Sequence, residues 1–87
     1  MANIKSAMKR AKVIHIRTRR NAAYRSMMKT AIRRFETALK SGDKEKAGVE
    51  LKKAIRTIDR IETKGVIHKN TANRKKSRLT KAFNRAS

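Results

Sequence analysis

Between Met28 and Ile61 the chain reads MKTAIRRFETALKSGDKEKAGVELKKAIRTIDRI. Left of Ser41-Gly42-Asp43, the residues Met28, Ile32, Phe35 and Leu39 step by four and three, laying one apolar stripe along a helix. To the right, Ala47, Leu51, Ala54, Ile58 and Ile61 repeat the stepping, and Ile55 widens the stripe. Gly42 suits the left-handed residue that ends a helix. Asp43 carries the short acceptor side chain favoured at the N-cap of the next one. The passage predicts two amphipathic helices joined by a tight turn.

Working outward, proline is absent and glycine occurs three times, so helix breakers are scarce. Lys64-Gly65 is the other punctuation, with a cation placed favourably at a helix C-terminus. Gly48, isolated inside the second helix, carries no signal. These marks leave segments of roughly 37, 21 and 19 residues, rich in good helix formers. The third helix is expected to begin within 68–70, with Asn70 the better cap chemically. Its stripe is weaker: Ala72, the stem of Lys76, Leu79 and Phe83.

Three amphipathic helices with short connections predict an all-α fold, a three-helix up-down-up antiparallel bundle. At 1.5 Å per residue the first helix reaches ~55 Å and the second about 30 Å. The second therefore covers the first only back to about residue 20. A single domain over 1–87 is expected, with 1–20 overhanging and 21–87 forming the bundle. A helix end without tertiary packing is poorly stable in water, so residues 1–20 should fray alone and order against a partner.

Charge is distributed by segment. All six acids lie between Glu36 and Glu62; residues 1–35 carry eleven Lys and Arg and residues 63–87 carry eight, unopposed. The middle holds seven bases against its six acids and is near neutral. Two unopposed cationic flanks repel themselves, and a polyanion that neutralises them is the natural partner. A core is also hard to enlarge here, because twelve of the hydrophobic residues are alanine.

Other chemistries find little footing. No cysteine is present, which excludes disulfides and thiolate metal sites. The opening residues hold no continuous apolar run, since Lys5, Lys9, Arg10 and Lys12 interrupt it, and a cytoplasmic setting is expected. His15 and His68 sit on different segments with no third ligand, so no metal is expected. No nucleophile–base pair or shielded carboxylate pair suggests catalysis. Glu45, Glu50, Asp59 and Glu62 are expected to make surface pairs worth ~0–1 kcal/mol each, and Glu36–Lys40 has the favourable order. Cofactors and small-molecule substrates are not implied.

The basic runs speak for nucleic acid. Arg17, Arg19, Arg20, Arg25, Lys29, Arg33 and Arg34 wrap around the first helix. In the third, Arg74, Lys75, Lys76, Arg78, Lys81 and Arg85 interleave with Asn70, Asn73 and Ser77. Guanidinium and amide groups bind phosphate oxygens and, in RNA, 2′-hydroxyls. Tyr24, Phe35 and Phe83 are the only aromatics, too few for a stacking platform, and no DNA-reading motif is evident. Recognition of phosphate arrangement in structured RNA remains. A DNA-packaging role would share the charge. A membrane-active helix would need an unbroken apolar face, and Thr18, Asn21 and Arg25 interrupt it.

Four stretches carry a resemblance: Met1-Ala2-Asn3-Ile4-Lys5-Ser6-Ala7, Asn21-Ala22-Ala23-Tyr24-Arg25-Ser26-Met27-Met28-Lys29-Thr30, Lys64-Gly65-Val66-Ile67-His68-Lys69-Asn70 and Arg74-Lys75-Lys76-Ser77-Arg78-Leu79. In order and spacing the chain resembles bacterial small-subunit ribosomal protein 20, of the S-numbered series, over essentially its whole length. The resemblance implies a non-catalytic three-helix bundle that binds 16S ribosomal RNA directly during small-subunit assembly, as a monomer. It implies RNA contacts at Lys5, Lys9, Arg10, Arg17, Arg20, Arg25 and Lys29. A second group follows the Gly-Val-Ile-His-Lys-Asn motif: His68, Lys69, Asn70, Arg74, Lys75 and Arg78. Met8 stands where that pattern has a base, and Asn73 where alanine is more usual.

Overall fold

A computed structural model describes residues 2–86, with the side chains of 4–86; Met1 and Ser87, the ends of the expected domain, lie outside the described residues. Three helices follow in order: α1 (Ala2–Lys40), α2 (Lys44–Thr63) and α3 (Lys69–Ala86).

The first connection uses the residues whose chemistry suits it. Gly42 takes φ +79°, a conformation L side chains rarely adopt. Its N–H donates to the Leu39 carbonyl at 3.2 Å, while the Ser41 hydroxyl donates to Ala38 O at 2.7 Å. Two carbonyls orphaned by the end of α1 are thereby satisfied. Asp43 caps α2, its carboxylate accepting from the Lys46 N–H at 3.1 Å.

At the other end of α2, Gly65 (φ +76°) donates to Glu62 O at 2.9 Å and Val66 N–H to Ile61 O at 3.2 Å. This is the paired-bond termination in which the residue after the glycine packs back on the helix. Val66 and Ile61 are both buried.

Helix α3 starts within the expected 68–70, but not at the chemically favoured cap. Asn70 lies inside the helix, and His68 fills the capping position. Its Nδ1 accepts from the Asn70 N–H at 3.1 Å, and its carbonyl accepts from the Ala72 N–H at 3.0 Å. An unprotonated imidazole nitrogen is as able an acceptor as an amide oxygen.

The core is wholly apolar. Met28, Phe35 and Ala38 of α1 meet Ala47, Leu51, Ala54, Ile58 and Ile61 of α2, with Val66, Ala72 and Leu79 completing it. On α2, Ala47, Leu51, Ala54, Ile58 and Ile61 are all buried, and Ile55, which widens the stripe, is partly buried. On α1, Ile32 and Leu39 are only partly buried, whereas Ala38, outside the expected stripe, is fully covered. Phe83 is half-buried, its ring lying against Gly48.

Helix α2 packs against both neighbours, whereas α1 and α3 scarcely meet. Lys76 reaches Asp59, and Phe83 lies over Gly48. Rising numbers on α3 therefore match falling numbers on α2, and the two run antiparallel. The three-residue turn at 41–43 likewise sends α2 back along α1. The molecule is long and thin, 64 × 21 × 13 Å.

Candidate nucleic-acid interface

The basic residues expected to touch RNA fall on two separate surfaces. Lys5, Lys9, Arg10, Arg17 and Arg20 lie on the opening half of α1, where every described side chain from Ile4 to Arg20 is exposed. At ~100° per residue these five occupy one arc of roughly 140°. Arg17 stands about five whole turns before Phe35 and so points the same way as the core seam. A guanidinium there takes the line that apolar residues hold further on. Arg25 and Lys29 are exposed on the adjoining flank of α1, beside the bundle.

The second surface is on α3. Arg74 and Arg78 share a face with Lys81 and Arg85, since the spacing 74, 78, 81, 85 follows the helical repeat. This ridge faces away from Ala72 and Leu79. Lys81 and Arg85 belong to it as fully as the two arginines, and the spacing that reveals them is legible in the sequence. Lys69 is exposed but off the ridge, and Lys75 is half-buried on the core side. Arg74 Nε lies 3.5 Å from the Asn70 carbonyl. His68 spends Nδ1 on its cap, so the proton it can offer a ligand sits on Nε2.

Few of these cations are neutralised within the chain. Among the described residues, only two carboxylate pairs form: Lys53 with Glu50 at 3.9 Å and Lys76 with Asp59 at 2.6 Å. Glu36 and Lys40 do not pair, and neither Glu45 nor Glu62 finds a cation. Lys76 is therefore a tie between α2 and α3 and not a free contact. Apolar Ile4, Met8, Val13, Ile14 and Ile16 are exposed between the bases of α1.

A helical protein with unquenched bases on two faces invites comparison with known families. The family described as "Ribosomal protein S20" matches residues 2–84. The chain belongs to that family. It is 58% identical over 85 residues to "Small ribosomal subunit protein bS20" of Pelotomaculum thermopropionicum, covering 98% of this chain and 97% of that one. It is 55% identical over 86 residues to the protein of the same name from Heliobacterium modesticaldum, covering 99% and 98%. Family membership makes it a structural component of the small subunit of the cytoplasmic ribosome, and not an enzyme.

Proposed function

We propose that this protein binds 16S ribosomal RNA directly and stabilises its fold during small-subunit assembly. The single observation behind this reading is the near-complete absence of internal counter-charge. With 26 Lys and Arg against six acids, only Lys53 and Lys76 stand within ion-pair distance of a described carboxylate. A surface of that kind is held compact by an external polyanion.

The geometry supports two contact surfaces meeting at a corner. Residues 1–20 overhang and 21–87 form the bundle, because 20-residue α2 spans only ~30 Å of α1 counted back from its turn. The connection 64–68 and the first turn of α3 close the bundle end beside that overhang. Lys5, Lys9, Arg10, Arg17, Arg20, Arg25 and Lys29 then line one arm of the corner. His68, Lys69, Asn70, Arg74, Lys75 and Arg78 lie on and beyond the other. Two RNA helices clamped in this way are held near each other. The overhang frays in the free protein and becomes helical on the RNA.

Binding of full chain to small-subunit RNA, followed across a salt series, tests this. Counterion release makes log affinity fall with log salt at ~0.7–0.9 per phosphate neutralised, so the slope should be steep. Arg74→Ala with Arg78→Ala should weaken binding and flatten the slope by about 1–2 without loss of helicity. Affinity that hardly varies with salt would sink the clamp. Equal amide-exchange protection of residues 4–20 with and without RNA would refute the ordering of the overhang.

A further inference from the structure

By count, α2 is the near-neutral part of the chain. By face it is not. The α1/α2 groove, about 710 Å³ in volume, is lined from α1 by Ser26, Met27, Thr30, Ala31 and Arg34 and from α2 by Glu50, Lys53, Arg56, Thr57 and Arg60. No α3 residue contributes. The acids Glu36, Asp43, Glu45, Asp59 and Glu62 are all absent from the lining. Asp59 faces α3, where Lys76 holds it. The one acid in the groove is Glu50, its side chain mostly covered and 3.9 Å from Lys53. Four bases against one carboxylate leave the groove strongly cationic.

Its hydroxyls add a second kind of chemistry. Thr30 Oγ1 donates to Ser26 O at 3.0 Å, and Thr57 Oγ1 donates to Lys53 O at 2.8 Å. With those protons committed to the backbone, the two oxygens offer lone pairs to a ligand. A phosphodiester strand of RNA supplies both complements: phosphate oxygens for Arg34, Lys53, Arg56 and Arg60, and ribose 2′-OH donors for Thr30 and Thr57. Lys53 and Arg60 lie ~10 Å apart along the helix axis, room for more than one nucleotide.

We propose that this groove is a third RNA-binding site, taking a single sugar–phosphate strand along the α1/α2 seam, separate from both the overhang of α1 and the ridge of α3. The proposal rests on the ribosomal RNA reading above and extends it to α2, in the stretch whose charges nearly balance. Exposed Met27, at 46%, gives the strand an apolar edge to pass over.

The chain has no native thiol, so Thr57→Cys offers a unique attachment point for a short photo-crosslinker in the full-length protein. Bound to small-subunit RNA and irradiated, it should attach to an RNA strand. In parallel, the combined variant Lys53→Gln, Arg56→Gln and Arg60→Gln should lower the salt slope by about 2. Glu50→Gln should tighten RNA binding several-fold by removing the one repelling carboxylate. Parent binding with an RNA crosslink and a lowered slope supports the groove. Parent binding with no RNA crosslink, with a crosslink to another protein in the assembled subunit, or with an unchanged slope overturns the groove and leaves the two-surface reading standing. If the parent fails to bind the RNA, the ribosomal RNA reading itself falls. The substituted side chains lie outside the apolar core, and far-UV circular dichroism checks that helicity is kept. Should the combined variant unfold, the crosslink decides alone.

Discussion

Replacing Phe35 with alanine tests the core most sharply. The ring has 0% exposure and stands among Met28, Ala38, Ala47, Leu51, Ala54 and Ile58 in one apolar cluster. Truncating a fully buried Phe costs about 3–5 kcal/mol, the transfer loss plus the cavity left behind. Natural domains hold roughly 0.05–0.15 kcal/mol per residue. Burial here begins only after residue 20, so some 65 residues share the core, which gives a stability of about 3–10 kcal/mol. Phe35→Ala therefore removes a third of the folding free energy at the least and all of it at the low end. Urea unfolding followed at 222 nm should show the midpoint falling by ~2–5 M, for a slope of 1–1.5 kcal/mol per molar, or the native baseline vanishing. RNA that binds only the folded form should partly restore the helix by mass action. Ile14→Ala, on the exposed stretch of α1, should change stability by less than ~0.5 kcal/mol and so leave the midpoint within about 0.5 M of the parent. A Phe35→Ala midpoint as close to the parent as that of Ile14→Ala would refute the assigned seam.

Two further substitutions probe local structure. Gly48 sits mid-helix in α2, and a Cβ there would lie 3.6 Å from the Phe83 ring, an ordinary contact. Gly48→Ala should therefore stabilise the free protein by about 0.5–1 kcal/mol, and a lowered urea midpoint would contradict the packing. Asp43→Ala removes the acceptor for the Lys46 N–H, so a loss of ~1 kcal/mol is expected. Amide exchange at Lys46 should rise with it, and unchanged exchange there would show that the cap carries no weight.

The α2 seam was legible residue by residue because Leu and Ile at helical spacing have few readings other than core, and Asp43 after Gly42 is strong local chemistry. Other features were not. Ala38 is buried although it lies off the expected stripe, and alanine looks alike on any face. Val66 reads as loop but closes the core through the hydrogen bonds of a glycine termination. His68 caps α3 through an imidazole nitrogen, an acceptor that sequence preference ranks below Asn70. Gly48 gave no signal alone; its meaning lies in Phe83, 35 residues away. The tie between Asp59 and Lys76 needed the register of α2 against α3. In each case local chemistry was readable, and what escaped was the relation between faces of different helices.

The same distinction governs the charge. Counting along the chain divides it into cation, neutral and cation. Folding sorts the middle differently, because a helix places residues three and four apart on one side. Lys53, Arg56, Thr57 and Arg60 turn toward α1 beside Arg34, while Asp59 turns toward α3. A near-neutral sum over 36–62 therefore conceals opposite faces of α2, one tied to its neighbour by an ion pair and one left cationic. If that sorting matters on RNA, exchanging Asp59 with Arg60 in sequence would preserve composition, net charge and helix propensity. The swap would nevertheless put a carboxylate into the groove and a guanidinium against Lys76. It should weaken RNA binding and the α2–α3 contact together, an outcome that charge counting alone does not foresee. Unchanged affinity in the swapped chain would mean that total charge, and not its arrangement on the folded surface, is what the RNA reads.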